Sequence, residues 1–557
     1  MTITRRKLLG TSASAILVAG IAGLPRMALA QSTEAVRPLT LYSRAQAANP
    51  QQYQAAELIA QAWGDLGMEV TVSGLPQNQL SDVVWFNRES WDVTMWQMVG
   101  RAERSDPDEF VMNLFHSKNA EAGFNFVGYS NPAYDAIAEA QRLEMDRDAR
   151  RELIVQAQDL INQDQPYAFL VYPTKVFAYN SSVFDGSTMV NAPGLGIKNF
   201  LSFVNLAPTG TQRDVLMNVS NELNSINPYY ISGAGDSWMT ELIWDRIMRI
   251  GDDGLPKPWA AESVTWNDEG TLATIVIREG MTFHDGKPVR VEDMIFSLES
   301  PKRDGAAPMY KPFADPIVAM TKVDDRTFTL QLAQPNAAFE TSTLSKLNII
   351  PEHVWLPILD GLAAGESAEA VVEESRVGSG PFKFERWNQS EVVLSADKTH
   401  FSEPKVDRVI MRVVLNVEAT LGMLRSGEIN FLTDYTGDPV LLQETATAAG
   451  NIELVDVVDI GFQFLAFNNR RAPFNDPVFR RALSFAIDRR LITGAAWNGF
   501  GRPANSHVSP ALPFWYDAAT EELPQGIDIA RTMLEEAGYT IVDGRLNYPA
   551  GVTDQYK

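Results

Sequence analysis

The 557-residue chain has no cysteine and only five histidines. The first absence excludes disulfides, thiol catalysis, lipid attachment through cysteine and cysteine-ligated zinc. A chain this long buries a large core without such staples. The histidines, His116, His284, His353, His400 and His507, are scattered, and no two stand at the spacing of a local metal site. No metal and no cofactor are expected. Also missing are G-x-S-x-G, a P-loop and H-E-x-x-H, so no catalytic residue is assigned. A carboxylate pair at glycosidase spacing stays open, because acidic residues are abundant. After the first thirty residues no apolar run approaches the ~20 residues of a membrane span. Low-complexity segments and short-period repeats are lacking too.

Positive charge is scarce. Lys and Arg number 47 against 70 Asp and Glu, for a net charge of −23 at pH 7. So acidic a surface argues against nucleic acid and anionic membrane as partners.

What is present begins with an address. Arg5 and Arg6 stand beside Lys7, an apolar run follows from Leu8 to Leu24, and Ala28-Leu29-Ala30 supplies a small-x-small cleavage pattern. The order is that of an export leader over residues 1–30. The paired arginines before Lys7-Leu8-Leu9 fit a twin-arginine signal, and an ordinary secretory leader reads the same residues. The mature chain is expected to start at Gln31 as a soluble periplasmic protein.

Length predicts two or three domains. Pro38 to Tyr42 reads as a strand, and Gln51 to Leu66 as a helix with Ala55, Leu58, Ile59, Ala62 and Trp63 on one face. Gly67 ends it, and Met68 to Val72 alternates as a strand, giving a βαβ unit of an α/β fold. Trp91 to Met98 reads as a further strand. A helical region opens at Asn131-Pro132 and breaks at Asp164-Gln165-Pro166, before the strand Tyr167 to Tyr172. Ala192 to Gly196 and Ala207 to Gly210 are rich in Pro and Gly, and the second reads as a linker. From Arg213 the texture restarts. Strands are expected at Val215–Val219, Leu272–Arg278 and Thr327–Leu332, and helices at Trp238–Ile250, Val291–Leu298, Asp476–Ile492 and Asp528–Ala537.

Four strings carry more information than these elements. They are Phe283-His284-Asp285-Gly286-Lys287-Pro288 with Val291-Glu292-Asp293; Gly378-Ser379-Gly380-Pro381-Phe382; Asn475-Asp476-Pro477 with Arg480 to Arg489; and Leu534-Glu535-Glu536-Ala537-Gly538-Tyr539. In this order they resemble the family 5 extracellular solute-binding proteins, which include dipeptide-, oligopeptide- and nickel-binding proteins. The match to the family's later part lies at the front of this chain. It runs through Pro38 to Tyr42, Leu66-Gly67-Met68, Trp91-Asp92-Val93, Asp106-Pro107-Asp108, Asn125-Phe126 and Gly128-Tyr129-Ser130-Asn131-Pro132. The family's opening part begins near Arg213, with Ser225-Ile226-Asn227-Pro228. The chain therefore resembles a circularly permuted member, its old ends fused near Leu206 to Gln212.

The resemblance implies a two-lobed α/β periplasmic-binding-protein (Venus-flytrap) fold with an extra small α+β domain. The expected division is 36–185 with 470–557 for the lobe carrying the new ends, 186–250 with 376–469 for the second lobe, and 251–375 for the extra domain. It also implies a monomer that binds a small solute, peptide or related compound, and hands it to an ABC permease without chemistry. A sensory receptor of the same fold and a secreted hydrolase are the competing readings. In peptide-binding members an aspartate before the aspartate-proline turn holds the ligand amine. Glu103 stands there, flanked by Arg101 and Arg104, whose planar forks suit carboxylate or phosphate. Arg44 is near the place of the arginine that takes a dipeptide carboxylate. Trp96, Tyr230, Trp238, Phe462 and Trp497 are the aromatic candidates for cleft walls, although large aromatics are more often core. Gly378 to Pro381 reads as a structural loop at the lobe junction.

Overall fold

A computed structural model describes residues 34–552 apart from 122, 220–224, 231–233, 374, 389, 436 and 523. The leader read from residues 1–30 lies outside the described residues.

The expected βαβ unit is present. The helix Pro50–Gly64 starts where the Asn49 side chain accepts from the Gln52 N–H at 3.0 Å. Pro50 sits at its first position, where the missing N–H costs nothing. It buries Ala55, Ala56, Ile59 and Trp63, and the Trp63 indole donates to Leu483 O at 3.0 Å. Gly67 turns the chain at φ +84, with Gly544 O only 2.9 Å from where a Cβ would stand. The strands Leu39–Arg44 and Val70–Leu75 on either side pair in parallel.

Among the described residues, twelve strands form one sheet. Its path runs Phe382–Trp387, Glu391–Ala396, Arg408–Val413, Asp214–Val219, Phe431–Leu432, Tyr167–Asn180, Phe462–Phe467, Val93–Met98, Leu39–Arg44 and Val70–Leu75. The 14-residue strand Tyr167–Asn180 belongs to both parts. Its first half pairs with Phe462–Phe467 and its second half with Ile452–Val458, both antiparallel. Each part carries its own core. Trp63, Leu465, Phe479 and Leu483 pack in one, Val215, Met217, Trp244 and Phe431 in the other. A separate antiparallel sheet of four strands, all between Ala261 and Leu332, packs onto the second part.

Three expectations need correction. The helix at Trp238 covers Ala234–Ile243 and stops there. Ile349 N–H takes Asp245 O at 2.8 Å, and the Arg246 guanidinium folds back onto Glu241 at 2.9 Å. Met248–Ile250 is then a strand paired with Pro256–Pro258. The helix expected over Asp476–Ile492 is two helices, Pro477–Phe485 and Arg489–Ala496. Asp488 caps the second by accepting from Leu491 N–H at 2.9 Å. Phe462–Phe467, assigned from sequence to the second lobe, pairs with Val93–Met98 of the first part. The strand is buried along its whole length, so alternation gave no sign of which sheet it joins.

The first and last described segments meet. Val36 N–H donates to Leu546 O at 2.7 Å, and Tyr548 N–H donates to Glu34 O at 3.0 Å. Within the stretch read as a linker, Ala207–Pro208 pairs with Phe184–Asp185, while 209–212 is exposed.

Candidate functional site

The chain passes between the two parts of the sheet at Pro173–Lys175 and again at Asp459–Gly461. The two crossings are tied together. Asp459 N–H donates to Pro173 O at 2.8 Å, and Lys175 Nζ lies 2.9 Å from Asp459 Oδ1. The same carboxylate accepts from Gly461 N–H at 3.1 Å. Gly100 packs against it so closely that a Cβ there would stand 1.8 Å from Asp459 Oδ1.

Beside these crossings lies a cavity of about 670 Å³. The first part contributes Pro50 and Gln51 from a helix N-terminus, Val99 to Ala102 from the end of a strand, and Trp497 and Phe500. Thr174 to Phe177 of the shared strand form one wall. The second part contributes Lys198 to Phe200, Trp238, Glu241, Arg246, Arg249 and Thr433 to Asp434. A cavity of this size, with aromatic walls and a few polar groups, suits a small organic ligand.

The charged groups of the second part are mostly engaged. Arg246 bonds Glu241 and Ser345 O, both at 2.9 Å. Arg249 donates to Glu241 O at 2.8 Å and to Trp244 O at 2.9 Å, with its guanidinium 3.8 Å from the Phe200 ring centre. Asp438 caps the helix Pro439–Ala449 through Val440 N–H at 2.9 Å. Lys198 Nζ stands 5.7 Å from the centre of the Trp238 ring. Burial pushes its ammonium down from the usual lysine range, Asp434 pulls it back up and Lys175 pushes it down. In the first part, Gln52 Nε2 donates to Gln463 Oε1 at 2.9 Å, and Gln463 Nε2 to Gln97 Oε1 at 3.0 Å.

Of the residues singled out from sequence, the cavity gathers Arg101, Trp238 and Trp497. Glu103 is in the turn Ala102–Arg104, and its side chain lies outside the described residues. Arg104 does not line the cavity; it pairs with Glu109 at 2.8 Å and donates to Val99 O at 2.5 Å. Trp96 joins a separate aromatic group, 5.8 Å from Trp85 and 6.1 Å from Phe126. Phe462 is fully buried against Phe110 and Phe169. Tyr230 and Arg44 also fall outside the lining. Tyr230 N–H closes a turn onto Asn227 O at 3.2 Å, and Arg44 ends a strand paired at Leu75. Sequence reading missed Lys198, Asn199 and Phe200. Their only signal was the turn-rich stretch Ala192 to Gly196 just before them.

The sequence strings that carried the resemblance are structural. His284 bridges two of them. Its Nδ1 accepts from Gly378 N–H at 3.3 Å, which leaves Nε2–H to donate to Gly380 O at 2.9 Å. Burial pushes its imidazole down from the usual histidine value, which favours this neutral form. Gly378 has no room for a side chain, since a Cβ would stand 1.9 Å from Ile243 O. Arg489 is buried and spends its guanidinium on carbonyls of Phe169 at 2.6 Å, Ala504 at 3.0 Å and Ser484 at 3.1 Å. Among the described residues no helix is long and apolar enough to cross a membrane.

The profile of the bacterial extracellular solute-binding proteins, family 5 (middle), matches residues 256–555. The chain is 26% identical over 348 residues to the oligopeptide-binding protein AppA of Bacillus subtilis (strain 168), covering 59% of this chain and 60% of that protein. It is 26% identical over 339 residues to the glutathione-binding protein GsiB of Salmonella typhi, covering 60% and 63%. The chain thus spans about 60% of the length of the curated relatives it matches. Among solved structures, AppA in complex with a nonapeptide aligns with a TM-score of 0.46 at 22% identity, over 60% of this chain and 66% of that one. The substrate-binding protein CtaP of Listeria monocytogenes aligns with a TM-score of 0.49 at 23% identity, over 60% and 66%. With its profile matched across more than half its length, this chain belongs to the bacterial extracellular solute-binding proteins, family 5.

Proposed function

We propose that this protein captures a small solute in the cavity between the two parts of its sheet and presents the closed form to an ABC permease in the inner membrane. The observation that carries the reading is the placement of the cavity. It lies beside the two chain crossings and takes its walls from both sides of them. A ligand touching both walls binds the closed state better than the open one, and that difference drives closure. The parts then act as lobes and the crossings as a hinge, with 251–375 as a domain grafted on the second lobe. The binder works in the periplasm as a monomer and performs no chemistry on its solute.

Two relatives are named for oligopeptides and glutathione. A peptide or a peptide-like compound is accordingly the solute class this reading favours, and a cavity of about 670 Å³ accommodates one of a few residues. The test is native mass spectrometry of the full-length protein purified without denaturation. A small solute that co-purifies at about one per chain, and returns after being stripped, supports capture. A protein that retains nothing and binds nothing from a periplasmic extract refutes it.

The chain order reads as a circular permutation of the family arrangement. Two observations support this. Val36 N–H donates to Leu546 O and Glu34 O accepts from Tyr548 N–H, as adjoining ends require. The family profile also matches one block, residues 256–555, while the front segment carries strings typical of the family's later part. A variant that joins Lys557 to Glu34 and opens at 209–212 should fold and bind like the parent. Failure of that variant to fold would count against the permutation.

A further inference from the structure

Five basic side chains line the cavity among the described residues: Arg101, Lys175, Lys198, Arg246 and Arg249. The protein itself engages three of them. Arg246 bonds Glu241, Arg249 bonds two backbone carbonyls, and Lys175 holds Asp459. Lys198 is different. It is half-buried, it faces the cavity, and its ammonium lies over the Trp238 ring. Asp434 attracts it through space without a hydrogen bond, and no described carboxylate pairs with it. Withdrawing an ammonium from water without a hydrogen-bonded counter-ion is costly, and Asp434 offsets only part of that cost. In a ligand cavity that cost is recovered when the ligand brings the counter-ion.

Trp238 gives the second half of the argument. Its indole is anchored 5.6 Å from Phe203 and also lines the cavity. A flat surface and a cation thus stand side by side. Arg101, exposed on the wall contributed by the first part, adds a second positive group across the crossings.

From this geometry we infer that Lys198 and Trp238 form a carboxylate subsite. The solute carries a carboxylate that pairs with Lys198 Nζ and an apolar or flat body that rests on Trp238. The inference rests on the capture reading and narrows it to carboxylate-bearing solutes. A charge-assisted hydrogen bond from an ammonium is roughly twice as strong as a neutral one, so loss of the ligand charge should be felt in affinity.

The test uses three probes with one indole body, measured by calorimetry on the stripped full-length protein at pH 7. They are N-acetyltryptophan, an anion; N-acetyltryptophanamide, neutral; and tryptophanamide, a cation. The expected order is anion over neutral over cation, with the anion at least fivefold tighter than the neutral compound. Lys198→Gln should erase that preference and leave the neutral compound unchanged. Lys198→Arg should restore most of it, and an unshifted melting temperature in both variants shows that folding is intact. Equal binding of anion and neutral compound overturns the inference, as does a preference that survives Lys198→Gln. If no indole compound binds while a solute still co-purifies, the subsite is wrong and capture stands. If nothing co-purifies either, the capture reading falls with it.

Discussion

Lys175 Nζ stands 2.9 Å from Asp459 Oδ1, and the two residues sit on the two segments that cross between the parts of the sheet. The pair is asymmetric in exposure, 33% for the lysine side chain and 8% for the aspartate. Removing the lysine therefore strands a buried carboxylate, whereas removing the aspartate strands an ammonium that water reaches. Lys175→Met should cost about 2 kcal/mol of unfolding free energy and Asp459→Asn under ~1 kcal/mol. Denaturant titration of both variants checks the order. Equal losses would show that the pair is solvated on both sides.

Gly100 fixes the other flank of the same carboxylate. A Cβ at this position would stand 1.8 Å from Asp459 Oδ1, and that oxygen is already held by Lys175 and Gly461. Gly100→Ala should therefore displace the crossing at a cost of about 1–3 kcal/mol, the range for overpacking. Because Gly100 also lines the cavity, affinity for the co-purified solute should fall at least tenfold. Calorimetry on the stripped variant reads this directly.

Acid should destabilise the protein through His507. The ring is fully buried 5.3 Å from Phe115, and neither nitrogen has a hydrogen-bond partner among the described residues. Burial pushes it down to about 3, below the unfolded value of 6.5. The folded state thus refuses a proton that the unfolded chain accepts. The stability is complete above about pH 6.5 and is lost as pH falls toward 3, at about 1.4 kcal/mol per unit. His507→Phe keeps the packing and removes the proton site. Between pH 7 and pH 5 it should lose about 2 kcal/mol less than the parent.

Arg489 should tolerate no conservative change. It is buried, and its donors are spread over Phe169 O, Ala504 O, Ser484 O and Ser484 Oγ. A lysine cannot span acceptors that a planar fork reaches together. Arg489→Lys should cost about 3 kcal/mol, because buried carbonyls lose their donors. Solute affinity measured well below the melting temperature should change little, since Arg489 is not among the lining residues.

Much of the fold was legible because local patterns coincide with local structure. The helical face Ala55, Ile59, Trp63 and the turn at Gly67 are read directly from spacing and from the need for a positive φ. The first and last described segments meet at Val36 and Leu546. Non-local decisions were not legible. Phe462–Phe467 is apolar on both faces, so nothing in it specifies which sheet it joins. The helix at Trp238 stops where Ile243 O accepts from Gly380 N–H at 2.8 Å and Asp245 O from Ile349 N–H at 2.8 Å, both partners far along the chain.

The cavity was read in part for the same reason. Arg101, Trp238 and Trp497 were found because charged and aromatic side chains draw attention anywhere. Trp96 and Phe462 looked equally suitable, and their strands turn them into aromatic packing instead. Lys198 is an ordinary lysine after a Pro- and Gly-rich turn. Only the fold shows that it faces a cavity beside Trp238.

The most direct test of the account is the distance across the cavity with and without solute. The chain lacks cysteine, so Glu57→Cys and Glu444→Cys introduce a unique labelled pair. Both positions are exposed, on the helices Pro50–Gly64 and Pro439–Ala449 whose first residues line the cavity from its two sides. Pulsed electron-spin distance measurement on the stripped protein should give a broad or longer distribution. Returning the co-purified solute should collapse it to one shorter distance. A distribution that stays unchanged while calorimetry shows the solute bound would contradict capture by closure between the two lobes.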